Sequence, residues 1–274
     1  MMNISARKDY SQLRDGLKRL RGNPDPFPNA SVVIPVNAQK DLVNVLNVAL
    51  DIIEYRGNQS IEMILVINNY PSKSPPKEIE EYTKLGFEVL GIPKVAHHGG
   101  VALAARIPGI ELARAETVLL FDADCRILNP TALIEWYFTE IESGADLAYT
   151  HVDYIDLPPG TSVKVRMLIH HFVRWFKRNI IGVPTSRGSN YAIKRELILD
   201  LYKRDRISYD IHVGPAVKAG GGKIVYSGKK ELFVFTSGRF FAGSWKELIT
   251  YLIWRIGYYN RNFINHSNRP PTSQ

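Results

Sequence analysis

The chain has 274 residues, of which 45% are apolar and 23% charged, with a formal charge of +8. That length and balance support a sizeable globular core and exclude a disordered, collagen-like or coiled-coil chain, while the basic surplus favours anionic partners. The single cysteine, Cys125, excludes an internal disulfide and any zinc site built from several thiolates, and it suits a reducing compartment.

Residues 7–21 read as a short basic helix. No apolar core of the roughly 7–15 residues of a signal peptide accompanies Arg7, Lys8, Arg14, Lys18 and Arg19, so a cytoplasmic chain is expected. Residues 22–29 hold Pro24, Pro26 and Pro28, which break the helix and leave a linker or strap. The run 31–36 (SVVIPV) has the form of a buried parallel strand. Residues 41–55 carry apolar positions at helical spacing, with Asp41 as the expected N-cap. Strands follow at 61–67, 87–92 and 117–121, separated by helices at 75–85 and 99–115, the latter interrupted by Pro108.

The second half is less regular. It predicts a helix at 130–143, a strand at 145–152 and a basic, aromatic helix at 163–179. A loop rich in Gly, Pro and Ser spans 182–190, then helices at 194–204 and 209–220 and strands at 223–227 and 231–235. A last helix is expected near 244–260, and 261–274 form a polar tail. The most apolar stretch, 248–259, is too short for a spanning helix and contains Arg255.

Four strands alternating with helices imply βαβ units, an α/β fold and a mostly parallel sheet flanked by helices. One elaborated domain over 30–260 is expected, with the basic segment 1–29 ahead of it. Ligands of such sheets bind beyond the carboxyl ends of the strands. Asp122-Ala123-Asp124 falls there, directly after an apolar strand. Two carboxylates two residues apart can hold a hard divalent cation, Mg²⁺ or Mn²⁺, with coordination positions left for substrate phosphates. The bland reading is a solvated turn beside a helix cap.

The neighbouring segments carry a family resemblance. The order SVVIPV, IEMILVINN, ARIPGIELARAETVLLFDAD, RGSNYAIKREL and SYDIHVGPAVKAGGGKI resembles the family-two glycosyltransferases of the GT-A fold over roughly residues 31–240. Ala105 to Asp124 is the most specific part, similar to that family's Ala-Arg-Asn-x-Gly helix and Asp-x-Asp strand end. The resemblance implies a GT-A domain and an enzyme that moves a sugar from a nucleoside diphosphate sugar to an acceptor hydroxyl, with inversion and with Mg²⁺ or Mn²⁺. It places Pro35 and Val36 at the nucleotide base, with Asn68 and Asn69 where the family often has an acidic residue. It puts Asp122 at the ribose side and Asp124 on the metal, with Ala123 between them in the donor site. Arg106 falls on the helix flanking the nucleotide, Gly188, Ser189 and Asn190 near the donor sugar, and Asp210 at the catalytic base. Only the second member of the family's acidic pair remains in Tyr209-Asp210. The Arg-Trp signature of processive synthases is absent, which argues against a polymerase.

The chemistry asks for the same residue types without the family. A departing diphosphate gathers negative charge, which a metal and a basic side chain stabilise. Arg239, after Gly238, is the first choice for that side chain and Arg187 the second. Asp210 would take the acceptor's proton, its bland reading being a helix N-cap. His97-His98, His212 and Cys125 read mainly as solvated or packing residues. Helix 163–178 is expected to turn its apolar side to the core, the other reading being peripheral attachment to an anionic membrane face.

A nucleotidyltransferase would show a Gly-rich loop after the first strand, where Asn37-Ala38-Gln39-Lys40 stands instead. A nucleic-acid or anion-binding module would not need the acidic pair, so nucleic acid is not expected as a partner. A retaining transferase would share the donor site without using Asp210 as a base. The acceptor is left open among a glycan, a lipid-linked molecule and a small molecule.

Overall fold

The computed structural model describes residues 6–22, 27–94, 101–238, 245–246, 249–250 and 253. The expected β-rich runs form β1 (Ala30–Asn37), β2 (Ile61–Asn68), β3 (Glu88–Ile92) and β4 (Thr117–Leu120). The helices between them are α2 (Asn44–Ile52), α3 (Glu78–Leu85) and α4 (Val101–Leu112), with α1 (Ala6–Arg21) ahead of β1. The second half adds β5 (Arg126–Ile127), α5 (Pro130–Glu142), β6 (Leu147–Thr150), β7 (Val152–Ile155) and α6 (Thr161–Asn179). It continues with β8 (Tyr191–Lys194), α7 (Arg195–Lys203), α8 (Asp210–Ala219), β9 (Ile224–Ser227) and β10 (Val234–Ser237).

Seven strands form one sheet in the order β3-β2-β1-β4-β8-β6-β9. β1 pairs in parallel with β2 and β4, and β2 with β3. β8 enters antiparallel between β4 and β6, which makes the sheet mixed. Strand alternation sends side chains to two cores. Val32, Ile34, Met63 and Leu65 face one helical layer, and Val33, Ile64 and Val66 face the other. A second sheet of β5, β10 and β7 lies beyond the carboxyl end of β4.

Several expectations are corrected. β8 was hidden, because its four residues sit between a Gly/Ser loop and a helix. The strand expected at 145–152 splits at His151, and its second part, β7, joins the other sheet. The strand expected at 231–235 is a 3₁₀ turn at Lys230–Leu232 followed by β10. Asp41 does not cap α2. Val43 occupies that position, and Asp41 accepts from Asn44 Nδ2 at 3.1 Å in the preceding turn. Pro108 stays inside α4. The basic helix expected at 7–21 forms as α1 and packs on the domain: Leu13, Leu17 and Leu20 are buried in the first core, and Arg19 donates to the carbonyls of Ile53 and Tyr55 beyond α2. The expected helix at 244–260 falls mostly outside the described residues.

α6 reverses the expected polarity. Its buried residues are Val163, Arg166, His170 and Arg174, while Leu168 and Phe172 are 67% and 60% exposed. The cause is the polar ground beneath it. Arg174 Nη1 donates to Val152 O at 3.1 Å, and His170 meets the Tyr154 hydroxyl at 3.3 Å. Buried polar groups at the strand end need polar partners, so the basic face of the helix turns inward.

Candidate active site

Four segments meet at the carboxyl end of β4. Phe121 continues the buried strand, and Asp122-Ala123-Asp124 emerge from it, both carboxylates half-buried. α4 brings Arg106, the loop before β8 brings Gly188, and α8 opens with Asp210.

Arg106 organises the site. Its side chain has no solvent exposure. Nη1 donates to Asp210 Oδ2 at 2.6 Å, while Nη2 donates to Asp122 Oδ1 and, at 2.9 Å, to the Gly188 carbonyl. A guanidinium suits this task because its fixed fork serves several oxygens at once. Gly188 is needed for the approach. A Cβ there would lie 2.7 Å from Asp210 Cγ and against the Arg106 guanidinium. Burial alone would lower the Arg106 pKa, but Asp210 and then Asp122 outweigh it and hold the group above its ordinary value.

Asp210 is pushed above the usual carboxylate range, by burial first and with a further rise from Asp122; Arg106 opposes both. Its second oxygen, Oδ1, is buried with no hydrogen-bond partner among the described residues. Burial, and then the Asp210 charge, also raise the Tyr191 phenol, so it stays protonated beside the carboxylate.

Ligand atoms of Asp122, Asp124 and Cys125 lie within 4.8 Å of one another. Burial raises the Cys125 pKa well above its ordinary value, with Asp122 and Asp124 adding to it, and Sγ donates to Ser189 O at 3.4 Å. A protonated buried thiol is a poor ligand, which leaves a hard carboxylate set that fits Mg²⁺ or Mn²⁺. Asp124 Oδ1 accepts from Thr236 Oγ1 at 3.1 Å, which orients it. A second group, His151, Asp153 and His171, also gathers within 4.8 Å. Burial and then the Arg174 charge press the His151 pKa down to about 4. That cationic surrounding disfavours a dication there.

The other expected residues divide. Pro35, Val36, Asn68 and Asn69 stand together at the carboxyl ends of β1 and β2. The Asn68 amide is buried and donates to Val36 O at 3.2 Å, so it ties the strand ends together. Asn69 takes a positive φ of 63°, which asparagine tolerates, and its Nδ2 donates to Asn37 Oδ1 at 3.2 Å. The Asn190 side chain turns into the interior, accepting from the Tyr137 hydroxyl and donating to Thr150 Oγ1 at 2.5 Å. Ser189 is buried beside it. Arg187 is held by the Tyr154 hydroxyl at 2.6 Å and His170 Nε2 at 2.8 Å. His212 Nδ1 accepts from the backbone of Tyr209 at 3.2 Å at the start of α8. Arg239, His97 and His98 lie outside the described residues. Tyr191 and Thr236 were not singled out by the sequence, although Tyr191 directly follows Gly188-Ser189-Asn190 and Thr236 lies three positions before Arg239. A surface cleft of about 500 Å³, lined by Arg14, Lys18, Lys84 and Arg114, involves none of these residues.

No family profile matches the chain, and no curated protein does. Solved structures do match its fold. A mannosyltransferase from Pyrobaculum calidifontis, solved with GDP-Man and Mn²⁺, is 14% identical with a TM-score of 0.50, over 84% of this chain and 65% of its own. GalNAc-T7, solved with UDP, GalNAc and Mn²⁺, is 15% identical with a TM-score of 0.54, over 78% of this chain and 44% of its own. TarS of S. aureus is 14% identical with a TM-score of 0.52, over 76% of this chain and 36% of its own. The fold is therefore the GT-A fold of nucleotide-sugar transferases, and the chain spans less than two thirds of each of these proteins.

Proposed function

We propose that this chain transfers a glycosyl group from a nucleoside diphosphate sugar to an acceptor hydroxyl, with inversion at the anomeric carbon. The observation that carries the reading is the buried Arg106 guanidinium shared by Asp122, Asp210 and the Gly188 carbonyl at the ligand edge of a GT-A sheet. The strand ends at Pro35, Val36, Asn68 and Asn69 would border the nucleotide base. Asp122 and Asp124 would hold Mg²⁺ or Mn²⁺, which neutralises charge on a departing diphosphate.

Asp210 would act as general base. Its buried Oδ1 makes no hydrogen bond within 3.5 Å among the described residues, which leaves it lone pairs for an acceptor hydroxyl that enters the site beside Tyr191. As the acceptor oxygen bonds to the anomeric carbon, its proton passes to Asp210. The bond from that carbon to the diphosphate oxygen breaks, and its electron pair leaves with the nucleotide. Arg106 opposes the rise that burial imposes on Asp210 and stays charged through the step. Gly188, having no side chain, lets its carbonyl reach the guanidinium beside Asp210.

The test is turnover on a panel of nucleotide sugars with Mn²⁺. Asp210→Asn should bind donor as the native chain does, and its turnover should fall about 10²-fold or more, the usual scale for losing a general base. The anomeric coupling of the product, read by NMR, should be opposite to that of the donor. Retained configuration, or near-native turnover in the variant, would remove Asp210 from this role.

A further inference from the structure

α6 shows solvent the side that a helix in a globular protein normally buries. Leu168, Phe172, Trp175 and Phe176 follow one another at intervals of four, three and one, and are 67%, 60%, 47% and 41% exposed. Val165 and Ile169 share their face, and Ile180 and Ile181 continue the apolar surface past the helix end. Phe172 lies 6.0 Å from the Trp175 ring and 6.3 Å from Phe176, so the aromatic surface is continuous. Trp245 joins it at the other end, its Nε1 donating to Ser162 Oγ at 3.1 Å. Ile249 and Ile253, four and eight positions on from Trp245, are exposed as well. A contiguous apolar surface of this kind marks an interaction site.

Charge decides what covers it. α6 carries no Asp or Glu, and of its five Lys and Arg, Arg166 and Arg174 are buried, Lys177 and Arg178 half-buried and Lys164 exposed. Lys164 is exposed beside Val165 and Leu168, and Lys246 is exposed beside Trp245. A second copy of the chain would bring the exposed Lys164 and Lys246 against a face whose α6 offers no acidic partner. An anionic lipid surface satisfies both features, taking aromatic and aliphatic side chains into its interface and pairing its headgroups with the bordering lysines. No helix among the described residues is long and apolar enough to cross a membrane, so contact would be in the plane. The 19 residues of α6 would lie along it for about 28 Å at 1.5 Å per residue.

We propose that the exposed face of α6, extended by Trp245, Ile249 and Ile253, docks this protein on an anionic lipid bilayer. The inference does not depend on the catalytic reading, although His170 on the buried side of α6 holds Arg187, the neighbour of Gly188.

Flotation of the full chain with phosphatidylcholine vesicles, with and without phosphatidylglycerol, tests this at low and high salt. The native chain should float with the anionic vesicles, less so at high salt because screening weakens the lysine contacts. Combined Leu168→Ser, Phe172→Ser and Trp175→Ser should weaken that binding by about tenfold or more. These side chains are exposed, so the melting temperature and nucleotide binding should hold. Lys164→Glu with Lys246→Glu leaves the apolar face intact and should abolish the preference for anionic vesicles. Absence of flotation in the native chain, or unchanged flotation in the serine variant, overturns the proposal. So does a native dimer that the serine variant converts to a monomer without any vesicle binding, which would assign the face to a second copy.

Discussion

Arg106 shows how a single buried cation can organise a site. A lone guanidinium without solvent is costly, and here two carboxylates and a carbonyl offset that cost. Replacing it with methionine would strand Asp210 and Asp122 beside each other. Breaking a buried ion pair from one side costs about 3–5 kcal/mol, so Arg106→Met should lose stability on that scale in urea unfolding. The sign of its pH dependence follows. A carboxyl raised in the native state binds protons that the unfolded chain has released. Stability is therefore lost as pH rises from the ordinary carboxylate value towards the raised one. Losing Arg106 removes the influence that lowers the Asp210 pKa, so this loss should be larger and extend to higher pH in the variant. Turnover runs the other way, because the base must be ionised. Its acid limb in the native enzyme should sit above the ordinary carboxylate range and vanish in Asp210→Asn. A flat profile across that range in the native enzyme would contradict the base assignment.

Among the elements, α4 packs closely on the sheet. A Cβ on Gly109 would lie 2.6 Å from Val66 Cγ2 and 2.7 Å from Val33 Cγ1, so the helix backbone rests on β1 and β2. Gly109→Val should force the helix off the sheet, with the roughly 1–3 kcal/mol cost of overpacking a core. Arg106 lies three residues before it, so donor binding should weaken as well. Native-like stability in urea would contradict this packing. Elements with a strong local signal were legible in the sequence. β1, β2 and β4 are unbroken β-rich runs, and α5 begins at Asn129, whose Oδ1 accepts from Ala132 N at 3.0 Å. β8 was not legible, because Tyr191 to Lys194 owe their strand form to ladders with β4 and β6. The facing of α6 was not legible either. Periodicity finds an apolar stripe but not which side the protein covers, and here polar groups of β7 and the Arg187 loop decide it.

Across the whole molecule, a sheet with two helical layers brings distant segments to one edge. Arg106, Asp122, Gly188 and Asp210 span more than a hundred positions of sequence. Spacing alone marked only Asp122 and Asp124. Asp210 and Arg106 were legible through the likeness of their surrounding motifs to a known family, and Tyr191 and Thr236 were not, because no local pattern distinguishes them. The buried side of α6 meets the Arg187 loop while its apolar face is exposed, so exposed-face variants let donor binding and lipid docking be tested independently. Donor binding is the more central of the two, and titration calorimetry of a nucleoside diphosphate panel with and without Mn²⁺ measures it directly. Native protein should bind one of these nucleotides with an affinity that rises when Mn²⁺ is added. Asp124→Asn removes one charged ligand atom while keeping the side chain's shape, and it should lose that Mn²⁺-dependent gain with the melting temperature little changed. Equal Mn²⁺-dependent affinity in the variant, or no nucleotide binding by the folded native chain, would contradict a metal and donor site at the end of β4.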